Sequence, residues 1–178
     1  MLVSHDELND YVDVGYITNV KPEYINATSI DITIGDKILV EHTQGKSRIV
    51  SLANRDPLRM FEADITNGFL LAPGQFILAH SQQVFNLPNA VSAEYKLKSS
   101  MARIGLEHLN AGWCDAGWHG SVLTLELKNM TQNHIIEIRK GDRIGQVIFW
   151  KHDPVSNEAS YSSRGRYNKD LTVSGIKP

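Results

Sequence analysis

One stretch of the chain, "NAGWCDAGWHGSVLTLELKN" at residues 110–129, combines a carboxylate with a regular strand pattern. In its second half Leu123, Leu125 and Leu127 fall on one face, and polar side chains, Glu126 among them, fall on the other. This period of two predicts a half-buried strand. Glu126 is then either an ordinary solvated glutamate or a carboxylate that faces a substrate and exchanges a proton with it.

A second group of reactive side chains lies in "KSSMAR", where Lys98, Ser99, Ser100 and Arg103 supply two hydroxyls and two cations. If Ser99 or Ser100 caps a short helix, free backbone N–H groups join them. Hydroxyls, amides and a guanidinium together can hold a phosphate chain. The alternative is a solvated helix start, and the residue types alone leave both readings open.

Metal-dependent and cysteine-dependent chemistry find little support. A zinc deaminase needs a Pro-Cys-x-x-Cys pair, whereas this chain has one cysteine, Cys114, and histidines scattered without metal-ligand spacing. The phosphate-binding Walker loop and the G-x-G-x-x-G motif are also absent from the sequence. We therefore expect no zinc, and we expect Cys114 to be a small buried residue rather than a nucleophile.

The composition is that of an ordinary globular protein, with 178 residues, 42% hydrophobic, 21% charged and a net charge of −2. This length suits one domain, predicted as residues 1–153, followed by a polar tail at 154–178 that has little to bury and is expected to be mobile. Neither the charge nor any apolar run predicts a nucleic-acid or membrane partner. No signal peptide is apparent, and the single cysteine fits a reducing compartment, so we expect a cytoplasmic protein.

Short strands and frequent turns predict an all-β sandwich or barrel. Pro73-Gly74 suits a type II turn between two strands, and "HLNAGW" at 108–113 is predicted as a further strand. The pattern of Ser4 and Glu7 matches a capping box, so a short N-terminal helix is expected from residue 5. One short internal helix is expected in "SSMARIGL".

Five ordered segments together resemble the dCTP deaminase family, within the wider dUTPase-like superfamily. The likeness covers roughly residues 25–150, and its central segment is most similar to phage-type members. The tail segment "GRYNKD" is a weaker match to the family's lid. The five segments, in chain order, are "INATSIDITIGDKI", "FLLAPGQFILAHSQQVFNLP", "KSSMARIGL", "NAGWCDAGWHGSVLTLELKN" and "RKGDRIGQVIF".

This resemblance implies a distorted jelly-roll β-barrel of the dUTPase-like type that forms homotrimers, with active sites shared between subunits. It implies the conversion of dCTP to dUTP and ammonia, with magnesium bound to the nucleotide triphosphate and no catalytic metal. A bifunctional enzyme that also releases pyrophosphate and forms dUMP is the main alternative. A dUTPase, or a non-catalytic nucleotide-binding regulator, is a weaker one, because the Asp-x-Asp-Tyr of dUTPases is replaced here by "DAGW".

The resemblance also implies a role for individual residues. Glu126 takes the place of the catalytic glutamate, Ala111 that of the alanine whose carbonyl holds the water, and Tyr167 that of the lid tyrosine. The implied catalytic group is Glu126, Arg103, Ser99 and Ala111. The implied nucleotide-binding group is Lys98, Ser99, Ser100, Arg103, Asp115, Thr124, Leu125, Glu126 and Tyr167.

The chain departs from the family pattern in four ways that bear on the site. Lys98 stands where an arginine is usual, so a bidentate phosphate contact becomes a point charge. Asn110 stands where a threonine is usual, and the span from Arg103 to Asp115 is one residue short. The span from Gly120 to Glu126 is one residue long, which predicts a β-bulge there; such a shift decides which face Glu126 occupies.

Overall fold

The computed structural model describes residues 1–44 and 46–177. Within them lie eleven strands and three α-helices, together with a 3₁₀ turn at Pro22–Tyr24. The helices are α1 (His5–Asp13), α2 (Ser99–Arg103) and α3 (Tyr161–Arg164). The strands are β1 (Ile17–Thr18), β2 (Ile30–Glu41), β3 (Met60–Asp64), β4 (Phe69–Leu71), β5 (Phe76–Asn86), β6 (Val91–Leu97), β7 (Leu106–Glu107), β8 (Trp113–Cys114), β9 (His119–Asn129), β10 (Ile136–Ile138) and β11 (Arg143–Lys151).

Nine of these strands form one curled sheet in the order β7-β9-β5-β2-β11-β6-β8, with β1 paired to β5 and β3 paired to β2. The remaining two, β10 and β4, form a small second sheet. The expected all-β architecture is confirmed, as are its two short helices. A third helix, α3, lies in the tail and was not predicted. No helix in the described part of the chain is long and apolar enough to span a membrane.

The core is built from the alternating faces of the long strands. Ile30, Ile32 and Ile34 of β2 are fully buried, and so is Leu127 of β9. Burial of such side chains contributes about 1.5–3 kcal/mol each, so the alternation in the sequence fixes which face of each strand points inward.

The turn at Pro73-Gly74 has the predicted geometry but a different role. Gly74 has φ +75, and the Gln75 N–H donates to the Ala72 carbonyl, as a type II turn requires. The flanking strands do not pair with each other, however: β4 pairs with β10, and β5 pairs with β2 and β9. The turn therefore carries the chain from one sheet to the other.

Two further local expectations are wrong. The stretch at 108–113 is mostly a turn, because Leu109 and Asn110 adopt φ values of +54 and +56, outside the strand region. The Glu107 carboxylate accepts the N–H groups of both His108 and Leu109 and stabilises this turn.

The N-terminal helix begins at His5 as expected, with Ser4 at its N-cap. The Ser4 side chain forms no capping hydrogen bond, so the capping box itself is wrong. Val3 and Leu8, on either side of the cap, are both fully buried, so apolar packing anchors the start of the helix.

The tail lies against the start of β9 and buries more than expected. Ser160 is fully buried and Val173 nearly so. The Tyr167 carbonyl accepts hydrogen bonds from the Trp118 indole and the Ser121 hydroxyl, both at 2.8 Å. These contacts place the tail beside the polar face of β9; its mobility stays a prediction.

Asn129, at the end of β9, joins the two sheets. Its side chain is fully buried, and its amide donates to the carbonyls of Leu71 and His134 at 2.9 and 2.8 Å. Its amide oxygen accepts the Thr131 N–H at 2.9 Å. One side chain thus satisfies three backbone groups that the junction would otherwise leave without partners.

We therefore predict that Asn129→Ala lowers the free energy of unfolding by about 2–4 kcal/mol, because several buried polar groups lose their partners at once. Urea denaturation measures the change. The matched control is Asn133→Ala, since Asn133 is exposed in the same loop, and it should change stability by less than about 0.5 kcal/mol. Similar losses for the two variants would contradict the assigned role.

Candidate functional site

A cavity in the described part of the chain has a volume of about 840 Å³. It lies between the polar face of β9, the tail and the segment that joins β2 to β3. Val122, Thr124 and Glu126 line it from β9, so the face opposite the leucines is not simply solvated. This volume falls in the range of small-molecule sites.

The register of β9 confirms the direction in which Glu126 points. Phe85 pairs with Ser121 whereas Asn86 pairs with His119, so Gly120 is an extra, bulged residue, and it has φ +64. The predicted β-bulge is therefore present at the start of this span. A second irregularity lies in β5 between His80 and Val84, and beyond it Thr124 and Glu126 pair regularly with His80 and Leu78. The bulge at Gly120 absorbs the additional residue of β9 without turning Glu126 into the core.

The ionisation of Glu126 is shifted by its surroundings. Burial raises the pKa of this carboxyl to about 7, against a minor opposing effect of its own backbone N–H. No basic side chain among residues 1–44 and 46–177 forms an ion pair with it. A carboxyl with a pKa near neutrality can both accept and return a proton, which is the requirement for acid–base catalysis.

Asp115 is the second carboxylate of the site that the sequence predicted. It is exposed, lines the same cavity, and accepts a hydrogen bond from the Trp113 indole N–H at 2.8 Å. The backbone carbonyl of Asp115 also accepts the Trp118 N–H in the turn at Gly117, which has φ +84. This turn holds the carboxylate at the edge of the cavity.

The tail contributes aromatic walls to the cavity. Tyr167 lines it as the lid resemblance implied, and Tyr161 of α3 lines it as well. Trp118, which stacks on Phe85 with ring centroids 5.1 Å apart, forms part of the floor. Tyr161 and Trp118 were not predicted as site residues; the aromatic positions in "AGWCDAGW" and "SYSS" were the available signal.

The other predicted residues lie elsewhere on the chain. Ser99, Ser100, Arg103 and Ala111 are exposed and do not line this cavity. Lys98 does not line it either, and its ammonium contacts the buried Asp31 carboxylate at 2.6 Å. The predicted site therefore falls into two separate groups within one chain: the cavity group on β9 and the tail, and a second group around α2.

One local expectation about the site, the N-cap of α2, is corrected by the structure. Lys98, and neither Ser99 nor Ser100, is the N-cap of α2, and it forms no side-chain capping bond. The Leu125 side chain is buried in the core, so only its backbone is available to a nucleotide.

Cys114 behaves as expected for a small buried residue. It is a free, buried cysteine, and burial raises the pKa of its thiol, which disfavours the reactive thiolate. Within the described residues, no group of three or more His, Cys, Asp or Glu side chains is arranged to hold a metal ion. The absence of zinc from the working protein stays a prediction.

Comparison with known sequences identifies relatives over most of the chain. A family model described as dCTP deaminase-like matches residues 2–152. A protein of Methanospirillum hungatei named "dCTP deaminase, dUMP-forming" is 36% identical over 154 residues, covering 84% of this chain and 81% of that protein. A protein of Aquifex aeolicus with the same name is 30% identical over 178 residues, covering 99% and 95%.

Solved structures share the fold at lower identity. The 2′-deoxycytidine 5′-triphosphate deaminase of Agrobacterium tumefaciens superposes with a TM-score of 0.68 at 20% identity, over 89% of this chain and 50% of that chain. This chain thus spans about half of that longer one. A dUTPase of Streptococcus mutans superposes with a TM-score of 0.50 at 15% identity, over 77% and 88%. At these identities the likeness confirms the dUTPase-like fold alone.

The raised pKa of Glu126 predicts a pH-dependent stability. Between its ordinary pKa of 4.5 and its folded pKa of about 7, the folded state holds a proton that the unfolded state releases. The free energy of unfolding therefore falls as the pH rises through this window. Glu126→Gln carries no such proton, so its stability relative to the parent should rise by on the order of 2–3 kcal/mol from about pH 4 to about pH 8.

Urea denaturation of both proteins at the two pH values measures this change. Glu62→Gln is a suitable control, because Glu62 is exposed and paired with Lys37, and its stability difference should vary little with pH. A Glu126→Gln difference that is the same at both pH values would contradict the raised pKa.

Proposed function

The chain belongs to the dCTP deaminase-like family, and from this premise we propose that it hydrolyses dCTP to dUMP, ammonia and pyrophosphate. The expectation from the sequence was dUTP as the final product, with dUMP as the alternative. The relatives from Methanospirillum hungatei and Aquifex aeolicus are both named dUMP-forming, which supports the alternative better. The single observation that carries the proposal is a carboxyl of pKa about 7, Glu126, in a cavity of nucleotide size.

In the proposed deamination, Glu126 takes a proton from a water molecule as the water oxygen bonds to C4 of cytosine. The same carboxyl gives this proton to the ring nitrogen N3. It then takes the remaining proton from the new C4 hydroxyl and gives it to the amine, so the C4–N bond breaks, ammonia leaves and the C4 carbonyl of uracil forms. One group can serve all these steps because its pKa lies near the working pH. The Ala111 carbonyl and the Ser99 hydroxyl would orient the water, and this positioning lowers the barrier further.

The proposed second step is attack of water on the α-phosphorus, which breaks the bond to the β-phosphate and releases pyrophosphate. Magnesium would arrive with the triphosphate and offset part of its negative charge. Asp115 is suited to this half of the reaction, because its carboxylate is exposed at the edge of the cavity and lacks a cationic partner among the described residues. Tyr167 would cover the bound nucleotide from the tail.

We propose a homotrimer whose site is completed across a subunit boundary. The cavity of one chain holds Glu126, Thr124, Asp115 and Tyr167, whereas the α2 group lies outside it. A nucleotide needs both the proton-transfer group and the cations of α2. Bringing Ser99 and Arg103 of a partner subunit to the cavity would supply the water contact and would add positive charge to a cavity whose described lining has Arg55 as its one Lys or Arg side chain.

A direct test of the function is incubation with dCTP and magnesium, with ammonia, dUTP, dUMP and pyrophosphate all quantified. We expect ammonia, dUMP and pyrophosphate in equal amounts. Glu126→Gln should reduce kcat by about 10²–10⁴-fold, because glutamine has the shape of glutamate but cannot exchange the proton. Glu62→Gln, at an exposed position, should stay within about twofold of the parent.

Each result has a distinct meaning. Accumulation of dUTP without pyrophosphate would replace the dUMP-forming proposal by simple deamination. Turnover of dUTP but not dCTP would indicate a dUTPase. Normal turnover by Glu126→Gln would remove Glu126 from the mechanism.

The shared site predicts complementation between two inactive chains. Arg103→Ala should be inactive for lack of the α2 cation, and Glu126→Gln for lack of the base. After the two are unfolded, mixed and refolded together, random trimers should regain up to about a quarter of normal activity, because that share of sites joins two intact halves. Each variant refolded alone is the control. A mixture as inactive as its components would contradict sharing.

A further inference from the structure

A buried charge network lies on the outer face of strands β2, β11 and β6, which are neighbours in this order. At its centre is Asp31 of β2, whose side chain is only 2% exposed. Its neighbours Ile30 and Ile32 point to the opposite side and are fully buried in the core. A carboxylate removed from water in this way requires ionic and hydrogen-bonding partners.

Three side chains provide them. The Lys98 ammonium, at 2.6 Å, and the Asn26 amide, at 2.9 Å, donate to one carboxylate oxygen of Asp31. The Arg143 guanidinium donates to the other oxygen at 3.4 Å. One carboxylate therefore holds two cations side by side, and the group keeps an excess of one positive charge.

A β-bulge at the start of β11 brings Arg143 to this face. Arg143 pairs with Thr33, while Gly145, two residues later, pairs with Ile32. Regular pairing would set Arg143 opposite Ile34, which is fully buried in the core. The bulge instead turns the arginine outward, and such re-aimed side chains are common beside functional sites.

The Arg143 side chain is held in place, but most of its N–H donors remain available to a ligand. Its guanidinium carbon lies 5.8 Å from the centre of the Tyr24 ring, and the Lys21 ammonium lies 5.6 Å from the same ring. The Arg143 side chain remains 54% exposed. A guanidinium has five N–H donors, and Asp31 is the one acceptor that it contacts among the described residues, so most of its donors face solvent.

We propose that Arg143 binds the outer phosphates of the nucleotide together with Lys98, and that Asp31 is the positioning residue for both cations. The inference rests on the proposed function and on the sequence-based expectation that Lys98, Ser99 and Ser100 hold the phosphate chain. A planar guanidinium fixed between a carboxylate and an aromatic ring offers the paired donors that a lysine at position 98 cannot offer. The ligand class is a polyphosphate ester.

The test compares ligands that differ only in phosphate number. In the Glu126→Gln background, which should bind nucleotide without consuming it, calorimetry measures affinity for dCTP with magnesium and for dCMP. Arg143→Met should weaken dCTP binding by about 10- to 100-fold, the usual range for loss of a charged hydrogen bond. Binding of dCMP should change by less than about twofold. Arg143→Lys should recover part of the dCTP affinity because it restores the charge.

Arg139→Met is the matched control, since Arg139 is exposed and paired with Glu137 away from Asp31. It should leave both affinities unchanged. Asp31→Asn keeps the shape of the side chain but releases the two cations. If this variant folds, its affinity for dCTP should fall more than its affinity for dCMP. Because Arg143 is half exposed, Arg143→Met should fold normally. The comparison of dCTP and dCMP in this variant therefore tests the inference even if Asp31→Asn does not fold.

Equal losses for dCTP and dCMP, or no loss for dCTP, in Arg143→Met would overturn the inference. Failure of the proposed function would give a different result. The parent protein would release no ammonia from dCTP, and the Glu126→Gln variant would not bind dCTP. A parent that deaminates dCTP while Arg143→Met binds it normally refutes only the role of Arg143.

Discussion

The alternation of β9 is the constraint on which the rest of the site depends. One face carries leucines that must be buried for the sheet to close, and the other face carries Thr124 and Glu126. A slip of one residue would exchange these faces and place a carboxylate in the core. The bulge at Gly120 absorbs the extra residue before the alternation begins, so core packing and the direction of Glu126 are secured by the same hydrogen-bond register.

Two carboxylates that are shielded from solvent, those of Asp31 and Glu126, lie in opposite electrostatic surroundings. Asp31 is buried with an ammonium, a guanidinium and an amide around it, so its negative charge is offset in place. Glu126 forms no ion pair within the described chain, and burial raises its pKa to about 7. The physical difference is the presence or absence of nearby cations. Asp31 therefore holds two cations in place, whereas Glu126 is suited to a role in which a proton is taken up and released.

The predicted site is divided into two groups by which residues line the cavity. The described lining includes Glu126, Asp115 and Tyr167, whereas Lys98, Ser99, Ser100 and Arg103 lie outside it. A single chain therefore presents the raised-pKa carboxyl in one place and the cations around α2 in another. Association of subunits is the simplest way to unite them, and it would explain why the cavity of one chain has Arg55 as the one Lys or Arg side chain among its described lining residues.

The sequence by itself determined the all-β class and the buried face of each long strand, because these follow from local period and apolar content. The short helix after residue 4 was expected from the pattern of Ser4 and Glu7, and the resemblance to the dCTP deaminase family indicated the bulge before Glu126 through one surplus residue. The sequence did not reveal the turn at Leu109 and Asn110, which the adjacent Glu107 carboxylate stabilises. It also did not reveal that α3 exists or that β4 and β5 enter different sheets, since both depend on distant partners. Only the tertiary structure decided that Asp31, Lys98 and Arg143 meet, because contacts across three strands leave no local pattern.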